Sequence, residues 1–267
     1  MNTFNPQKPV VLVFAGHDPS GGAGIQADIE SIASTGCHAA TVITTITRQN
    51  TQSLEGHTPQ NIDDFNQQAR LILQDMDIKA IKIGVIGDKQ LLYAISELLE
   101  ECRNIPVVLD PIIQSGTGYK FLNDDLCKDL IKKILPLTTI VTPNSLEART
   151  LTDPDYTLDA AAKKFLEYGC ENILITGAHE KTEQIINTLY SKNEPDLNFK
   201  CERLPGEYHG SGCTLSSSIA AHLALGCNVK DAIAKALHYT WESLSHGNRH
   251  GSGQLLPDRI AWRLKDD

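Results

Sequence analysis

Short apolar runs rich in β-branched residues alternate along the chain with longer segments of helical spacing, and this alternation limits the fold more than any other feature. Runs that are apolar on both faces are typical of strands covered by helices on either side of a sheet. Since the connections of βαβ units are right-handed, the pattern predicts an α/β fold: a three-layer α/β/α sandwich with a central mainly parallel sheet. The six runs are residues 10–14, 40–43, 80–83, 107–109, 139–141 and 173–175.

The segments between the runs have the spacing of amphipathic helices and lie at about residues 24–35, 62–76, 89–102, 124–135 and 158–168. Two later stretches depart from the alternation. Residues 184–190 and 198–204 predict a polar hairpin, whereas residues 214–225 and 229–244 predict two packed helices. Neither stretch requires a second domain, so one domain over residues 1–267 is expected.

The composition is that of a soluble globular protein, with 41% apolar and 21% charged residues. The net charge of −9 provides no field that would attract nucleic acid or an anionic membrane surface, so neither is an expected partner. Residues 1–9 do not form a secretory signal and no window is apolar enough for a membrane span, which favours a cytoplasmic protein. The seven cysteines form no C-x-x-C pair and are expected to be reduced.

A glycine cluster, residues 16–24, follows the first apolar run; we call it the first glycine loop. Such a loop lets a small ligand approach the backbone, although a flexible turn before a helix explains it equally well. Residues 22–27 fit the letters G-x-G-x-x-A, but Gly22 lies well past the strand and no acidic residue occurs within 41–47, so the dinucleotide fingerprint fails. The P-loop pattern fails as well, because the Lys-Ser/Thr ending is absent.

A second cluster, His209-Gly210-Ser211-Gly212-Cys213-Thr214, opens a helix of small residues. Glycines allow successive N–H groups to point into one concavity, and the helix dipole adds positive potential there. Residues 210–213, here called the anion-binding turn, therefore predict a site for phosphate or a developing anion. The same donors are expected to lower the pKa of Cys213 from about 8.5 toward neutrality. The alternative is a simple helix entry in which Cys213 is a packing residue.

Polar residues also follow two other apolar runs. Asn144 and Glu147 come directly after residues 139–141, where they are able to form a capping box or to hold the waters of a Mg²⁺ bound to nucleotide phosphates. The residues alone favour neither interpretation. Asp110 follows residues 107–109. It is either a functional carboxylate at the carboxyl edge of a strand or a residue that forms a turn there.

Taken together, these motifs resemble the hydroxymethylpyrimidine/phosphomethylpyrimidine kinases of thiamine biosynthesis, in the ribokinase-like superfamily. The likeness covers nearly the whole chain, and the order of several motifs makes it specific. It rests on residues 15–28 (AGHDPSGGAGIQAD), Val42-Ile43-Thr44 with Gln49-Asn50-Thr51, Lys82-Ile83-Gly84, Leu109-Asp110-Pro111, Thr142-Pro143-Asn144 with Glu147, and residues 209–216 (HGSGCTLS).

The resemblance implies an ATP-dependent kinase that phosphorylates the hydroxymethyl group of the pyrimidine and then its monophosphate. In that comparison Gly210, Ser211 and Gly212 hold the migrating phosphoryl group, and Cys213 takes the place of a general base. Family members of this kind are typically homodimers, so a homodimer is expected.

The resemblance also assigns the two ends of the site. On the substrate side, Gln49 would bind the edge of the pyrimidine ring, in a pocket completed by Asp28, Gly16 and Val85. On the nucleotide side, Asn144 and Glu147 would support Mg²⁺ through water, with Asp110 nearby.

Two positions depart from the family pattern. Thr176 stands in the nucleotide site where many members carry Lys, and Gln114 precedes Ser115-Gly116 where some carry Lys. The absent positive charge would have to come from Mg²⁺, a monovalent cation or another basic residue. Val85 replaces a frequent Met, which changes the shape of the pocket more than its chemistry.

Three other functions stay open on the sequence. Pyridoxal kinase is the nearest alternative, since related kinases accept that hydroxymethyl pyridine. A cysteine hydrolase would pair Cys213 with His209 and use the anion-binding turn as an oxyanion hole. A nucleotide-binding regulator without turnover is the third. The nine histidines show no H-E-x-x-H spacing and no G-x-S-x-G elbow occurs, so a zinc enzyme and a serine hydrolase are not expected.

Overall fold

The computed structural model describes residues 7–192 and 194–260, so residues 1–6 of the N-terminal segment considered above lie outside it. In the described part, nine strands form one sheet in the order β3-β2-β1-β4-β5-β6-β7-β8-β9. The strands are β1 Val10–His17, β2 His38–Gln49, β3 Leu54–Pro59, β4 Ile78–Ile83, β5 Val107–Leu109, β6 Ile140–Val141, β7 Asn172–Ile175, β8 Ile185–Ser191 and β9 Leu197–Cys201.

Eight α-helices accompany these strands in the described residues. They are α1 Gly24–Ser34, α2 Ile62–Asp75, α3 Lys89–Glu101, α4 Asp124–Lys133, α5 Ser145–Leu151, α6 Leu158–Glu167, α7 Ser211–Ala224 and α8 Val229–Ser245. Strands β2, β1, β4, β5, β6 and β7 run parallel, whereas β3, β8 and β9 are antiparallel additions at the two edges.

Helices cover both faces of the sheet, as the doubly apolar runs predict. In β1, Leu12 and Phe14 pack into the core shared with α2 to α6, and Val11 and Val13 pack into the core shared with α1, α7 and α8. Because successive side chains of a strand point to opposite faces, a strand with both faces covered favours apolar residues at every position, and a polar residue there needs a buried partner. The predicted three-layer α/β/α sandwich with a mainly parallel sheet is confirmed.

Two elements were not predicted. Strand β3 has the sequence LEGHTP, which contains few β-branched residues and ends in proline, and it lies at the edge of the sheet where such a sequence is tolerated. Helix α5 has only 7 residues, too few for a clear helical period. The predicted hairpin is confirmed as β8 and β9, and the two packed helices are α7 and α8.

Two further observations concern the cysteines and the membrane. All seven cysteines are free thiols, and four of them, Cys37, Cys127, Cys170 and Cys213, are buried. Across the described residues, none of the helices combines the length and apolarity that crossing a bilayer would take.

Candidate active site

The predicted site residues converge on the carboxyl edge of the parallel strands. The first glycine loop leaves β1, Asp110 leaves β5, and Asn144 leaves β6, while the anion-binding turn opens α7. In open α/β sheets this edge is where ligands bind, because the loops there diverge and leave a crevice.

The first glycine loop and the anion-binding turn contact each other through their backbones. Gly210 adopts φ 84°, and a Cβ added there would lie 1.9 Å from the carbonyl oxygen of Gly22. Likewise, a Cβ on Gly22 would lie 2.4 Å from Cδ2 of His209. Glycine is therefore required at both positions, by its left-handed backbone at Gly210 and by close approach at Gly22. The interpretation of residues 16–24 as a merely flexible turn is wrong.

A buried carboxylate ties the same two loops together. Asp18, which is 2% exposed, accepts hydrogen bonds of 2.8 Å from the backbone N–H of Ser20, from the backbone N–H of Ala23 and from Nε2 of His209. Burial by itself would raise the pKa of Asp18, but the hydrogen bonds from His209 and Ser20 outweigh burial, so the pKa lies below its ordinary value.

Replacing Asp18 with asparagine is expected to lower the free energy of unfolding at neutral pH by about 1–3 kcal/mol, the usual cost of losing a hydrogen-bonded charge. Because the folded-state pKa of Asp18 is lowered, its contribution is present above the unfolded value of about 3.9 and is lost as the pH falls through the folded-state pKa. In urea unfolding between pH 2 and 7, the free energy of unfolding should therefore fall less steeply toward low pH in D18N than in wild type. Equal pH slopes in the two proteins would contradict this assignment.

The first turn of α7 is open toward the site. Among the described residues, no side chain caps the N-terminus of α7, so its first N–H groups are left to a ligand or solvent. Gly212 is exposed, and a Cβ added there would lie 3.5 Å from Oδ2 of Asp110. The turn therefore faces Asp110 across a gap that a side chain would narrow.

Cys213 lies in a charged environment, which its position in sequence did not predict. The residue is 6% exposed, and burial raises the pKa of its thiol to about 12. Lys82 lowers this pKa, but the carboxylates of Asp110 and Asp28 raise it. The expectation of a pKa lowered toward neutrality is wrong, because burial and two anions outweigh the lowering effect of Lys82.

Lys82 and Asp28 form a fully buried ion pair behind Cys213, with both side chains 0% exposed. The Lys82 Nζ donates to Oδ1 of Asp28 at 2.7 Å, and the Ser217 hydroxyl donates to the same oxygen at 2.5 Å. Oδ2 of Asp28 has no hydrogen-bond partner among the described residues. Burial opposes the charge on Lys82, but the carboxylates of Asp28 and Asp110 outweigh it and raise the pKa of Lys82, so the side chain stays cationic.

This arrangement corrects the role expected for Asp28. Since its carboxylate is completely covered and bonded to Lys82 and Ser217, Asp28 is not placed on the wall of a substrate pocket. It holds Lys82, whose charge lowers the pKa values of Cys213 and Asp110.

Asp110 and Glu147 are two carboxylates with raised pKa values at neighbouring strand ends. Burial raises the pKa of Asp110 to about 6, against the lowering effects of Lys82 and of a 3.2 Å hydrogen bond donated by Ser216. Burial also raises the pKa of Glu147 to about 8, and the charge of Asp110 adds to this rise. Mutual repulsion of this kind is relieved by a bound cation.

Asn144 and Glu147 form the predicted capping box of α5. Oδ1 of Asn144 accepts from the backbone N–H groups of Leu146 and Glu147, and Oε2 of Glu147 accepts from the backbone N–H of Asn144 at 2.9 Å. The Asn144 oxygen is therefore already engaged. The donor set that fits a divalent cation is Asp110 with Glu147, since carboxylate oxygens suit Mg²⁺ and water completes its octahedral shell. No cluster of three or more His, Cys, Asp or Glu side chains suited to a metal occurs within residues 7–192 and 194–260.

The remaining predicted residues lie at the ends of β1, β2, β4 and β7. A Cβ on Gly16 would be 3.7 Å from Cβ of Val85, so these two residues are neighbours. Gln49 donates to Oγ1 of Thr47 at 2.8 Å, and Thr47 in turn donates to the carbonyl oxygen of His17. Thr176 pairs with the segment of Asn144 through backbone hydrogen bonds. The crevice thus has two sides, one at the ends of β1, β2 and β4 and the other at the ends of β6 and β7. The anion-binding turn reaches the crevice from the start of α7.

Sequence reasoning missed three buried polar contacts of this region: the Lys82–Asp28 pair, the Asp18–His209 pair, and the hydrogen bonds of Arg259 to the carbonyl oxygens of Gly21 and Gly22. Lys82 had a signal, because a lysine inside a run that is otherwise apolar on both faces needs a buried partner. No local pattern marks Arg259, whose hydrogen-bond partners lie up to 238 residues away.

Comparison with known proteins agrees with this geometry. The family model described as phosphomethylpyrimidine kinase matches residues 18–258. A hydroxymethylpyrimidine/phosphomethylpyrimidine kinase of Rhizobium meliloti (strain 1021) is 33% identical over 251 residues, covering 92% of this chain and 94% of the relative. A solved phosphomethylpyrimidine kinase from Clostridium difficile 630 aligns with a TM-score of 0.78 at 32% identity, over 89% of this chain and 100% of that one. A Bacillus subtilis pyridoxal kinase in complex with ADP aligns with a TM-score of 0.86 at 28% identity, over 97% of this chain and 100% of that one.

Proposed function

The chain belongs to the phosphomethylpyrimidine kinase family, and on this premise we propose that it transfers the γ-phosphate of ATP to 4-amino-5-hydroxymethyl-2-methylpyrimidine. A second transfer to the monophosphate gives the pyrimidine diphosphate used in thiamine biosynthesis. The observation that carries the proposal is the uncapped first turn of α7, which faces Asp110 and holds Cys213 between the two sides of the crevice.

The two sides of the crevice match the two substrates. Gly16, Gln49 and Val85, at the ends of β1, β2 and β4, would bind the pyrimidine, while Glu147 and Thr176, at the ends of β6 and β7, would face the nucleotide. The phosphoryl group then travels between them past the anion-binding turn. A loose transition state of this kind requires positioning and charge stabilisation, which fixed backbone N–H groups supply.

The charges behind the turn suggest the path of the proton. As the hydroxymethyl oxygen bonds to phosphorus and the bond to ADP breaks, its proton is lost. Cys213 begins as a thiol close to Asp110, whose pKa of about 6 favours the ionised carboxylate at neutral pH. We propose that the sulfur takes the hydroxyl proton while its own proton passes to Asp110, and that Lys82 balances the charge that remains.

The cation requirement is also a proposal. Asp110 and Glu147 would hold the waters of a Mg²⁺, which supplies charge neutralisation for the nucleotide phosphates when it is bound. Since Thr176 brings no positive charge to the nucleotide side, exchange of K⁺ for Na⁺ in the assay tests whether a monovalent cation contributes. A cytoplasmic homodimer completes the proposal, and sedimentation velocity measures the assembly.

The decisive assay follows ATP consumption with hydroxymethylpyrimidine, its monophosphate and pyridoxal at saturating Mg²⁺. We expect the highest kcat/KM with the hydroxymethylpyrimidine and turnover of its monophosphate as well. Pyridoxal kinase is the second candidate, because a pyridoxal kinase aligns along nearly the entire chain. A higher kcat/KM for pyridoxal would overturn the assignment, and ATP binding without turnover of any of the three would favour a regulator.

The hydrolase alternative conflicts with the geometry. His209 directs Nε2 to Asp18, and the thiol of Cys213 is buried with a pKa of about 12. A nucleophilic cysteine requires the opposite, a lowered pKa and a histidine base paired with its sulfur.

Replacing Gln49 with alanine is expected to raise the KM for the pyrimidine by roughly 10- to 100-fold, the cost of one or two lost hydrogen bonds to a polar ring edge, with a smaller change in kcat. The exposed Gln52, in the turn that follows β2, provides the matched Gln52→Ala control. Steady-state kinetics at saturating ATP separate the two constants. A fall in kcat at unchanged KM would place Gln49 in the chemical step and contradict this role.

A further inference from the structure

Arg259 lies at the junction of the first glycine loop and the anion-binding turn. Its side chain is 1% exposed, and one of its guanidinium nitrogens, Nη2, donates to the carbonyl oxygen of Gly22. Nη1 is 3.5 Å from the carbonyl oxygen of Gly21, and Nε donates to Oγ1 of Thr214 at 2.9 Å. One planar group therefore contacts both loops.

The contact with Thr214 continues into the anion-binding turn. Oγ1 of Thr214 accepts from Arg259 and donates to the carbonyl oxygen of Gly210 at 2.9 Å. A Cβ on Gly210 would be 2.9 Å from Nη2 of Arg259, so the guanidinium also borders the turn directly. The position of Arg259 thus sets the position of Gly210, the residue at which the anion-binding turn begins.

The main chain of Arg259 is itself fixed. Its carbonyl oxygen accepts hydrogen bonds from the hydroxyls of Ser34 at 2.8 Å and Tyr239 at 2.9 Å, which lie on α1 and α8. The fourth partner of the guanidinium, Glu30 on α1, lies 3.0 Å from Nη1. Arg259 is therefore anchored to α1 and α8, while its guanidinium group contacts the first glycine loop and the anion-binding turn.

Removal of the guanidinium would leave carbonyl dipoles facing each other without a donor. The oxygens of Gly21 and Gly22 both point toward the fork, and buried carbonyl groups without a donor are costly. Lysine is a poor substitute, because a single ammonium cannot reproduce the planar set of five N–H donors. The separation of the two loops would then be held by the Asp18–His209 pair, which lies at their other contact.

We propose that Arg259 is a positioning residue for phosphoryl transfer: by bridging Gly21, Gly22 and Thr214, it holds the anion-binding turn at the place where its N–H groups meet the migrating phosphoryl group. This inference rests on the proposed function. The residue lies one position beyond the match to the family model, which ends at 258.

The test compares Arg259→Lys with wild type in the assay of hydroxymethylpyrimidine and ATP. A displacement of about 1 Å at a reacting centre can cost on the order of 100-fold, so kcat per folded enzyme should fall by about that factor while the pyrimidine KM changes little. Arg259→Ala should recover activity with added guanidinium but not with methylammonium. Hydrogen exchange, which needs no turnover, should accelerate at residues 21–24 and 210–214 in Arg259→Lys.

Two control variants separate positioning from stability. Glu30→Gln removes the charged partner on α1 and leaves every contact to the loops, so it should change the melting temperature but not kcat. Arg70→Lys alters an exposed arginine that also pairs with a carboxylate, Glu101, and should change neither. If wild type turns over none of the substrates, the proposed function has failed, and the exchange measurement decides the inference.

If wild type is active, a kcat of Arg259→Lys within threefold of wild type overturns the inference. Unchanged hydrogen exchange in the two loops of Arg259→Lys also overturns it. So does a guanidinium effect on Arg259→Ala that raises only the folded fraction and not the activity per folded enzyme.

Discussion

Replacing Lys82 with methionine should lower the free energy of unfolding by about 3–5 kcal/mol, because the Asp28 carboxylate then stays buried without its counter-charge. Methionine matches the aliphatic stem of lysine, so the change removes charge more than volume. The ion pair is completely covered, and the second oxygen of Asp28 already lacks a partner among the described residues, so nothing nearby can replace the ammonium. Urea unfolding followed by circular dichroism measures the loss.

Two variants test whether charge is the cause. Lys79→Met removes a lysine three positions earlier on β4, where the pair with Asp77 is exposed, and should cost at most about 1 kcal/mol. Lys82→Met combined with Asp28→Asn removes both charges and keeps an acceptor for Ser217, so it should recover much of the stability. Equal losses in Lys79→Met and Lys82→Met would show that the buried pair contributes no more than a surface one.

Replacing Cys213 with alanine is the second large effect, and we expect kcat to fall by about 10²- to 10⁴-fold, the range attributed to a positioned acid–base group. The pyrimidine KM should change far less, since Cys213 is 6% exposed and offers little binding surface. With alanine, the acceptor hydroxyl would have no relay to Asp110. Steady-state and single-turnover kinetics distinguish loss of the chemical step from slower release of product.

The chain offers a matched control for this variant. Cys170 is also buried, and burial raises the pKa of its thiol to about 12, the same value as in Cys213, but it lies in the apolar core on the other face of the sheet. Cys170→Ala should leave kcat unchanged. Cys213→Ser keeps a donor and acceptor at the position and should retain more activity than Cys213→Ala. Full activity of Cys213→Ala would mean that Asp110 or water takes the proton without the sulfur.

Much of the fold was predictable because burial on both faces leaves a local signature. Residues 10–14 are apolar at every position, and the structure shows why, since Val13 and Phe14 enter different cores. Strand β3 has no such signature, because an edge strand that carries glycine and proline is stabilised by its partner β2 rather than by its own propensity.

The backbone of the site was also predictable, but its charges were not. Gly22 and Gly210 indicate a close approach of the first glycine loop to the anion-binding turn, which a residue with a Cβ would not permit. The pKa of Cys213 depends on how deeply the sulfur is buried and on which carboxylates surround it, and both are set by elements far apart in sequence. A local argument from the helix dipole therefore gave the wrong direction. Arg259 was missed for the same reason.

The long span between Gly22 and Arg259 has a consequence for the newly made chain. Since 237 residues separate them, the ribosome releases the glycine-rich entrance of α1 long before the arginine that braces it exists. During folding, residues that are close in sequence form contacts early, whereas contacts between distant residues require loop closure and form later. A nascent molecule can thus assemble its first crossover before the anion-binding turn is held in place, and by the proposed role of Arg259 full catalytic activity would arrive only when synthesis has reached that arginine.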